Sequence, residues 1–443
     1  MSTGDLHATI AAIWRIESPK LIASLARMLR DVGRAEDLAQ DAFVSALLQW
    51  PDEGVPRNPG AWLMTIAKRR AIDQIRRDDT IQRKSEQLAH ELSATERETD
   101  FASAHEEIDD DMLRLMFVAC HPAVSSDAHV ALTLKLVGGL TTAEIARAFL
   151  VTEATVAQRI VRAKRTLAEA HVPFAVPTGA ERAARLSSIL ETIYLIFNEG
   201  YAATAGDDVL RPELVEDALR LGRMLAALAP NDGEVHGLVA LMEIQASRMR
   251  SRVGAAGEPI LLLDQDRSRW NRLLIQRGLD ALARAERLAG HPEPSNVILR
   301  ASTSLSTGSV EGRRALGPYA LQAAIAACHA RATAPEETDW ERIAALYDAL
   351  AQLAPTPVVE LNRAVAVGMA YGPQAGLDIV DNLLDESALR AYHLLPAVRG
   401  DLLFKAGRTD EARSEFERAA SLTRNSRDRT LLLERASRCR PTC

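Results

Sequence analysis

Aromatic residues are scarce in this chain. Phe, Trp and Tyr make up 4% of its 443 residues, which leaves little of the usual material for β-sheets. Cysteine is sparse too. Cys120, Cys328, Cys439 and Cys443 form no CxxC pair, so neither a disulfide framework nor a zinc knuckle is indicated. Cys120 and Cys328 lie in apolar helical stretches and read as reduced, buried thiols, whereas Cys439 and Cys443 sit in a polar tail with no clear signal. No apolar run approaches the roughly 18–20 residues of a membrane span. Residues 1–17 lack the basic start and apolar core of a signal peptide. A cytosolic protein without membrane contact is expected. An excess of positive charge is also missing: the formal net charge is −7, so any nucleic-acid binding has to come from local basic faces.

What is present favours helices. Apolar residues make up 47% of the chain, Ala, Leu and Arg are abundant, and apolar positions recur at helical spacing almost from end to end. The expected fold is all-α, with room for about three domains. A first module spans 1–79 and ends in a basic helix. A polar segment, 80–110, carries Glu86, Glu91, Glu96, Glu98 and Asp100 with few cations, the mark of an exposed acidic linker. A compact module spans 111–170, and Pro173, Pro177 and Gly179 break the pattern in a linker at 171–185. From 186 to 443 the chain reads as paired amphipathic helices. Trp340–Leu350 with Leu361–Ala366, and Leu402–Arg408 with Glu411–Ala420, fit loose helical repeats of tetratricopeptide (TPR) type.

The second module contains a helix-turn-helix pattern. Thr141 can cap a short helix, with Glu144 three residues on to complete a capping box. After a turn at Leu150–Val151, Thr152 caps a helix that buries Val156, Ile160 and Ala163 and carries Thr155, Gln158, Arg159, Arg162, Lys164 and Arg165. A helix lying in the major groove needs this layout: apolar spacing holds it on the domain while polar side chains reach base edges. Arg can read guanine and Gln adenine; Lys164 and Arg165 are placed for phosphates.

In the first module, three prolines and two glycines between Trp50 and Gly60 exclude regular structure. The helix that follows, Ala61–Arg77, is expected to bury Trp62, Leu63, Ile66, Ile72 and Ile75. It is expected to expose Lys68, Arg69, Arg70, Arg76 and Arg77. Five cations on one helix, with Asp73 as internal counter-charge, suit a polyanion alongside. Upstream, Arg34–Leu47 is amphipathic with an acidic exposed face, suited to a basic protein partner.

Taken together, Arg34–Phe43, Pro59–Arg77, Leu140–Ala146 and Thr155–Lys164 resemble the extracytoplasmic-function (ECF) sigma factors of bacterial RNA polymerase, in the same order and spacing. Leu113–Ala123, Ile193–Tyr201, Asp264–Trp270, Gly317–Ala326 and Tyr392–Pro396 resemble the subgroup that carries a TPR-like C-terminal extension. The resemblance implies a promoter-specificity subunit that lends no catalytic residues of its own. Asp37, Gln40 and Asp41 would grip the β′ clamp of core RNA polymerase, and the second module would dock on the β flap. Arg57, Asn58, Lys68, Arg69, Arg70, Arg76 and Arg77 would handle the −10 region of promoter DNA, with Arg57 and Asn58 accepting a flipped base. Thr155, Gln158, Arg159, Arg162, Lys164 and Arg165 would handle the −35 region. The acidic linker would thread the RNA exit path. The C-terminal domain would regulate in cis or bind a protein partner on its concave face.

Departures at Ala157, where relatives often carry Lys or Arg, and at Gln158, where they often carry Ser, mean the −35 preference should differ from theirs. The alternative is a helix-turn-helix regulator with a TPR-like sensor that is not a polymerase subunit; it leaves Asp37–Phe43 and Ala61–Arg77 without a purpose. No cofactor or metal is expected. Adjacent Cys120 and His121 have no second ligand pair, the acidic pair Asp207 and Asp208 reads as a solvated turn, and the scattered histidines form no nucleophile–base set.

Overall fold

The computed structural model describes residues 3–86, 104–149, 151–202, 210–254, 258–290, 316–423 and 425–439. Leu150, Asp207, Asp208, Cys443 and most of the acidic segment lie outside these. Every regular element among the described residues is helical, apart from one isolated antiparallel bridge, Val253 to Pro259. They fall into two compact units, Met1–Leu195 and Ile196–Cys443.

The first unit opens with three long helices, α1 (Thr3–Leu29), α2 (Val32–Glu53) and α3 (Pro59–Glu86). Arg30 adopts a left-handed backbone (φ 52°) between α1 and α2, and Asp31 accepts a hydrogen bond from the Arg34 N–H (3.0 Å) to start α2. Gly54, at φ 84°, ends α2 in a conformation that L side chains resist. Trp50 and Trp62 meet edge to face at 5.3 Å across the Pro-rich elbow, and Trp14 packs on Phe43 at 4.5 Å. Few aromatics are present, and these four sit where helices turn or cross.

The buried stripe of α3 is Leu63, Ala67 and Ala71. Trp62, Ile66 and Ile75 are half-buried at its edges, but Ile72 is 43% exposed, contrary to expectation. Small residues at i, i+4 bring the neighbouring helices close enough that the stripe narrows, and Ile72, one position round the helix, falls outside it.

The remainder of the unit comprises α4 (Ala104–Ala119), α5 (Ser126–Leu132), a π-helical turn (Thr133–Val137), α6 (Thr142–Ala148), α7 (Glu153–Glu169) and the start of α8 (Gly179–Tyr201). Helices overrun both expected linkers: α3 continues to Glu86, α4 begins at Ala104, and α8 begins at Gly179. Thr141 and Glu144 form the expected capping box, and the Thr152 hydroxyl accepts from the Thr155 N–H (3.2 Å). Val156, Ile160, Ala163 and Leu167 are buried as the periodicity requires. Cys120 is buried with its thiol against the hydroxyls of Thr133 and Thr192, and burial pushes that thiol's pKa up.

The second unit continues through α9 (Pro212–Leu228), α10 (Gly233–Ala246), α11 (Arg272–Leu288), α12 (Pro318–Arg331), α13 (Trp340–Leu353) and α14 (Pro357–Tyr371). It ends with α15 (Pro373–Asp381), α16 (Leu394–Lys405), α17 (Thr409–Leu422) and α18 (Ser426–Arg438). Asp232, Asn271, Asp339, Thr356 and Asn425 cap helices, and prolines open α9, α12, α14 and α15. Both expected repeats are helix pairs, α13 with α14 and α16 with α17.

Small residues permit the close crossings: a Cβ on Gly376 of α15 would come within 2.7 Å of the Ala364 carbonyl oxygen of α14. The Asp264–Trp270 stretch acts as a stitch. Buried Arg267 donates to the carbonyl oxygens of His329 (3.0 Å) and Ala332 (2.8 Å) and to the Thr338 hydroxyl (3.0 Å). Cys439, assigned no role by its polar neighbours, is buried in the terminal core beside Leu432 and Ala436.

Candidate nucleic-acid interface

α3 presents the first set of cations. Arg57 and Asn58 are exposed in the elbow, and the Asn58 side-chain oxygen accepts from the Ala61 N–H (3.1 Å), so Asn58 also starts the helix. Arg69, Arg76 and Arg77 are exposed and Lys68 is half-buried. Arg70 is drawn back toward α2, where its guanidinium donates to the Ser45 hydroxyl (2.9 Å) and lies 3.9 Å from Asp41. One of the five cations is thus shared with the acidic face of α2.

That face carries Asp37, Gln40 and Asp41, all exposed, and it extends to Val44 and Leu48, which are exposed as well. Sequence reasoning stopped at the acidic residues. The i, i+3, i+4, i+7, i+11 spacing from residue 37 to 48 was the signal for the apolar half. Acidic residues beside two exposed aliphatics form a mixed patch of the kind protein interfaces use.

On α7, Gln158, Arg162 and Arg165 are exposed; Thr155 is half-buried with its hydroxyl 2.8 Å from that of Thr152. Val161, not singled out from the sequence, is 63% exposed between Gln158 and Arg162. Arg159 lies 3.3 Å from Asp127 of α5, and Arg165 2.7 Å from Glu169. Exposed pairs of this kind stabilise little, so a phosphate or base can replace the carboxylate at small cost.

Lys164 differs. Its side chain is 18% exposed and forms an ion pair with Glu36 of α2, whose carboxylate is buried. The structure therefore brings Gln158, Val161, Arg162 and Arg165 together on an open face and turns Lys164 inward, away from them.

Glu144 shows how the helix-turn-helix is fixed. Burial works to raise its pKa, but hydrogen bonds from the Thr141 N–H (2.7 Å) and hydroxyl (2.8 Å) outweigh it. With the charges of Arg15 and Arg147 they hold the carboxyl below its ordinary range. No group of three or more His, Cys, Asp or Glu placed to hold a metal occurs among the described residues. None of the described helices is long and apolar enough to cross a membrane.

Residues 14–80, from α1 through most of α3, match Sigma-70 region 2, and residues 114–167, from α4 through α7, match Sigma-70, region 4. Similar proteins include the Probable ECF RNA polymerase sigma factor SigI of Mycobacterium tuberculosis (strain CDC 1551 / Oshkosh). It is 26% identical, over 49% of this chain and 76% of its own length. The ECF RNA polymerase sigma factor SigK of Mycobacterium ulcerans (strain Agy99) is 30% identical, over 32% of this chain and 75% of its own length. The chain belongs to the ECF sigma factors.

Beyond the two sigma regions, residues 185–286 of this ECF sigma factor match a family of unknown function, DUF6596. The Uncharacterized protein R00370 of Rhizobium meliloti (strain 1021) is similar along almost the whole chain. It is 42% identical over 92% of this chain and 90% of its own length. The helical extension is thus shared with a relative matched over nearly its full length, whereas the mycobacterial factors match half of this chain or less.

Proposed function

We propose that this sigma factor joins core RNA polymerase through α2, reads the −35 element with α7 and opens the −10 element with α3. The observation that carries this is the open face of α7, where Gln158, Val161, Arg162 and Arg165 project from a doubly capped helix-turn-helix. A major-groove reader needs such a face: Gln and Arg offer bidentate donors to base edges, and an exposed valine suits a thymine methyl group.

Arg57, Asn58, Lys68, Arg69, Arg70, Arg76 and Arg77 hold the −10 region. A base unstacked at a cost of a few kcal/mol is accepted beside the elbow. Asp37, Gln40 and Asp41, with Val44 and Leu48, meet the β′ clamp, and the second module meets the β flap. The working division is a first module at 1–79, an acidic linker at 80–110, a second module at 111–170, a connection at 171–185 and a TPR-like domain at 186–443. The last regulates initiation in cis or by binding a protein partner. The protein works in the cytoplasm, where its polymerase is, and polymerase supplies all the chemistry.

Run-off transcription with purified core polymerase on a promoter library tests the reading. Specific starts should appear only when both components are present. DNA binding by the chain alone, with no start-site selection on adding core, would favour a conventional regulator instead. Regulation by the second unit predicts that Arg267→Met, which removes the stitch, changes run-off yield while core binding is kept.

A further inference from the structure

The second unit buries positive charge with no acid beside it. Arg248, just after α10, and Arg267, in the Asp264–Trp270 stitch, are 8% and 5% exposed. Both guanidinium groups lie over the Trp270 indole, 5.8 Å and 5.2 Å from its centre, and half-buried Arg252 lies over the Tyr201 ring at 3.7 Å. Among the described residues no carboxylate comes within 4.0 Å of any of the three. The acids that act on Arg267 from further off, Glu336 and Glu337, are exposed, and Glu337 is engaged by the Thr333 N–H (3.0 Å) and hydroxyl (2.6 Å). Asp428, which acts on Arg252, is half-buried.

The rings supply only part of what these charges need. An aromatic face attracts a guanidinium, but the N–H groups around its edge still require acceptors. Arg267 has three acceptors, the carbonyl oxygens of His329 and Ala332 and the Thr338 hydroxyl. Arg248 has one, the side-chain oxygen of Gln245. Arg248 Nε, Arg267 Nε and Trp270 Nε1 are left buried without a partner among the described residues, as is Nδ1 of His329. Leaving a buried charged donor unmet is costly. The field is felt nearby: burial first, then the charges of Arg248 and Arg267, keep the His329 imidazole neutral.

We propose that the second unit binds a small oxyanion, of phosphate or carboxylate type, at Arg248, Arg267 and Trp270, with Arg252 adding charge from the Tyr201 side. An oxyanion is the ligand that meets both deficits, since it compensates the buried cations and accepts from the stranded donors. The planar guanidinium fork matches the oxygens of either group. Once bound, the anion braces the Asp264–Trp270 stitch against the chain that follows α10. Arg267 also holds the end of α12, so occupancy stabilises that crossing and makes the second unit responsive to the anion's concentration. None of this depends on how the first unit reads DNA.

Isothermal titration of the full-length chain with inorganic phosphate, sulfate and acetate, each at constant ionic strength, tests the site. At least one should bind at a single site per chain and change the tryptophan emission. Preference for phosphate and sulfate assigns a phosphate-type ligand, and preference for acetate a carboxylate. Arg248→Met should weaken that binding about tenfold or more, and Arg248→Lys, which keeps the charge without the fork, should weaken it less.

Arg252→Gln, at a half-buried position, keeps the test open if Arg248→Met does not fold, and should weaken binding by about threefold or more. Circular dichroism should be unchanged in each variant used. Two results overturn the proposal. One is that none of the three anions saturates the chain below about 20 mM. The other is binding within about twofold of the unsubstituted chain in every folded variant, which would place the ion elsewhere.

Discussion

Arg159 of α7 lies 3.3 Å from Asp127 at the start of α5, so a candidate base-reading guanidinium is held by a carboxylate of its own module. Both side chains are substantially exposed, so the pair stabilises the fold little. Arg159→Ala should relax discrimination at one −35 position by about 1–3 kcal/mol, measured by competition between promoter variants bound to holoenzyme. Asp127→Asn should raise affinity for every sequence without changing the preference. Equal loss on all promoters for Arg159→Ala would remove it from the base-reading set.

Arg76 projects from the far part of α3, beyond the buried stripe. Its contribution should be to phosphates. Arg76→Ala is expected to weaken all promoters alike and to reduce the slope of log affinity against log salt by about one. A sequence-dependent effect in a salt titration would contradict this.

Thr141 supplies both halves of the cap on α6, accepting from the Glu144 N–H (3.1 Å) and donating to its carboxylate. Thr141→Ala should destabilise the helix-turn-helix by about 1 kcal/mol, read by amide exchange in α6. The same bonds, against the opposing pull of burial, depress the Glu144 pKa. Its stabilising contribution is therefore complete above the ordinary carboxylate range and fades as pH falls through the depressed folded value. Thr141→Ala should shift that loss to higher pH.

His329 of α12 is buried beside Trp340 (5.2 Å, edge to face). Burial first, then the charges of Arg248 and Arg267, lower its pKa from 6.5 to about 3. The folded state thus keeps the imidazole neutral where an unfolded chain would protonate it. Stability is whole above pH 6.5 and falls as pH drops toward 3, with about 2–3 kcal/mol lost by pH ~4.5. His329→Phe should flatten this part of the profile, seen as acid-resistant amide protection in α12. An unchanged profile would mean that another group titrates there.

Much of this was legible in the residue order. Caps at Thr141 and Thr152 sit beside the residues whose N–H groups they satisfy, so a local pattern states a local bond. The stripe Val156, Ile160, Ala163 and the cations around it follow from a 3.6-residue period. Repeat pairs such as α13 with α14 showed in the spacing of small and apolar residues.

Other features had no local trace. Ile72 looked like core and is exposed, because Ala67 and Ala71 set how closely α3 is approached. Cys439 looked like tail and is core, because α18 folds back onto Phe416 and its neighbours.

The sequence by itself determined that the chain is helical, the caps at Thr141 and Thr152, and the apolar stripe of α7, since each depends on residues within a turn or two of one another. Tertiary structure alone decided that Glu36 is buried while Asp37 beside it is not, and that Lys164 meets that carboxylate instead of facing outward. Charge on a helix is assigned to solvent by default, because burying it is costly. Only the approach of a second helix carrying the opposite charge makes the burial tolerable, and no spacing within either helix encodes that approach.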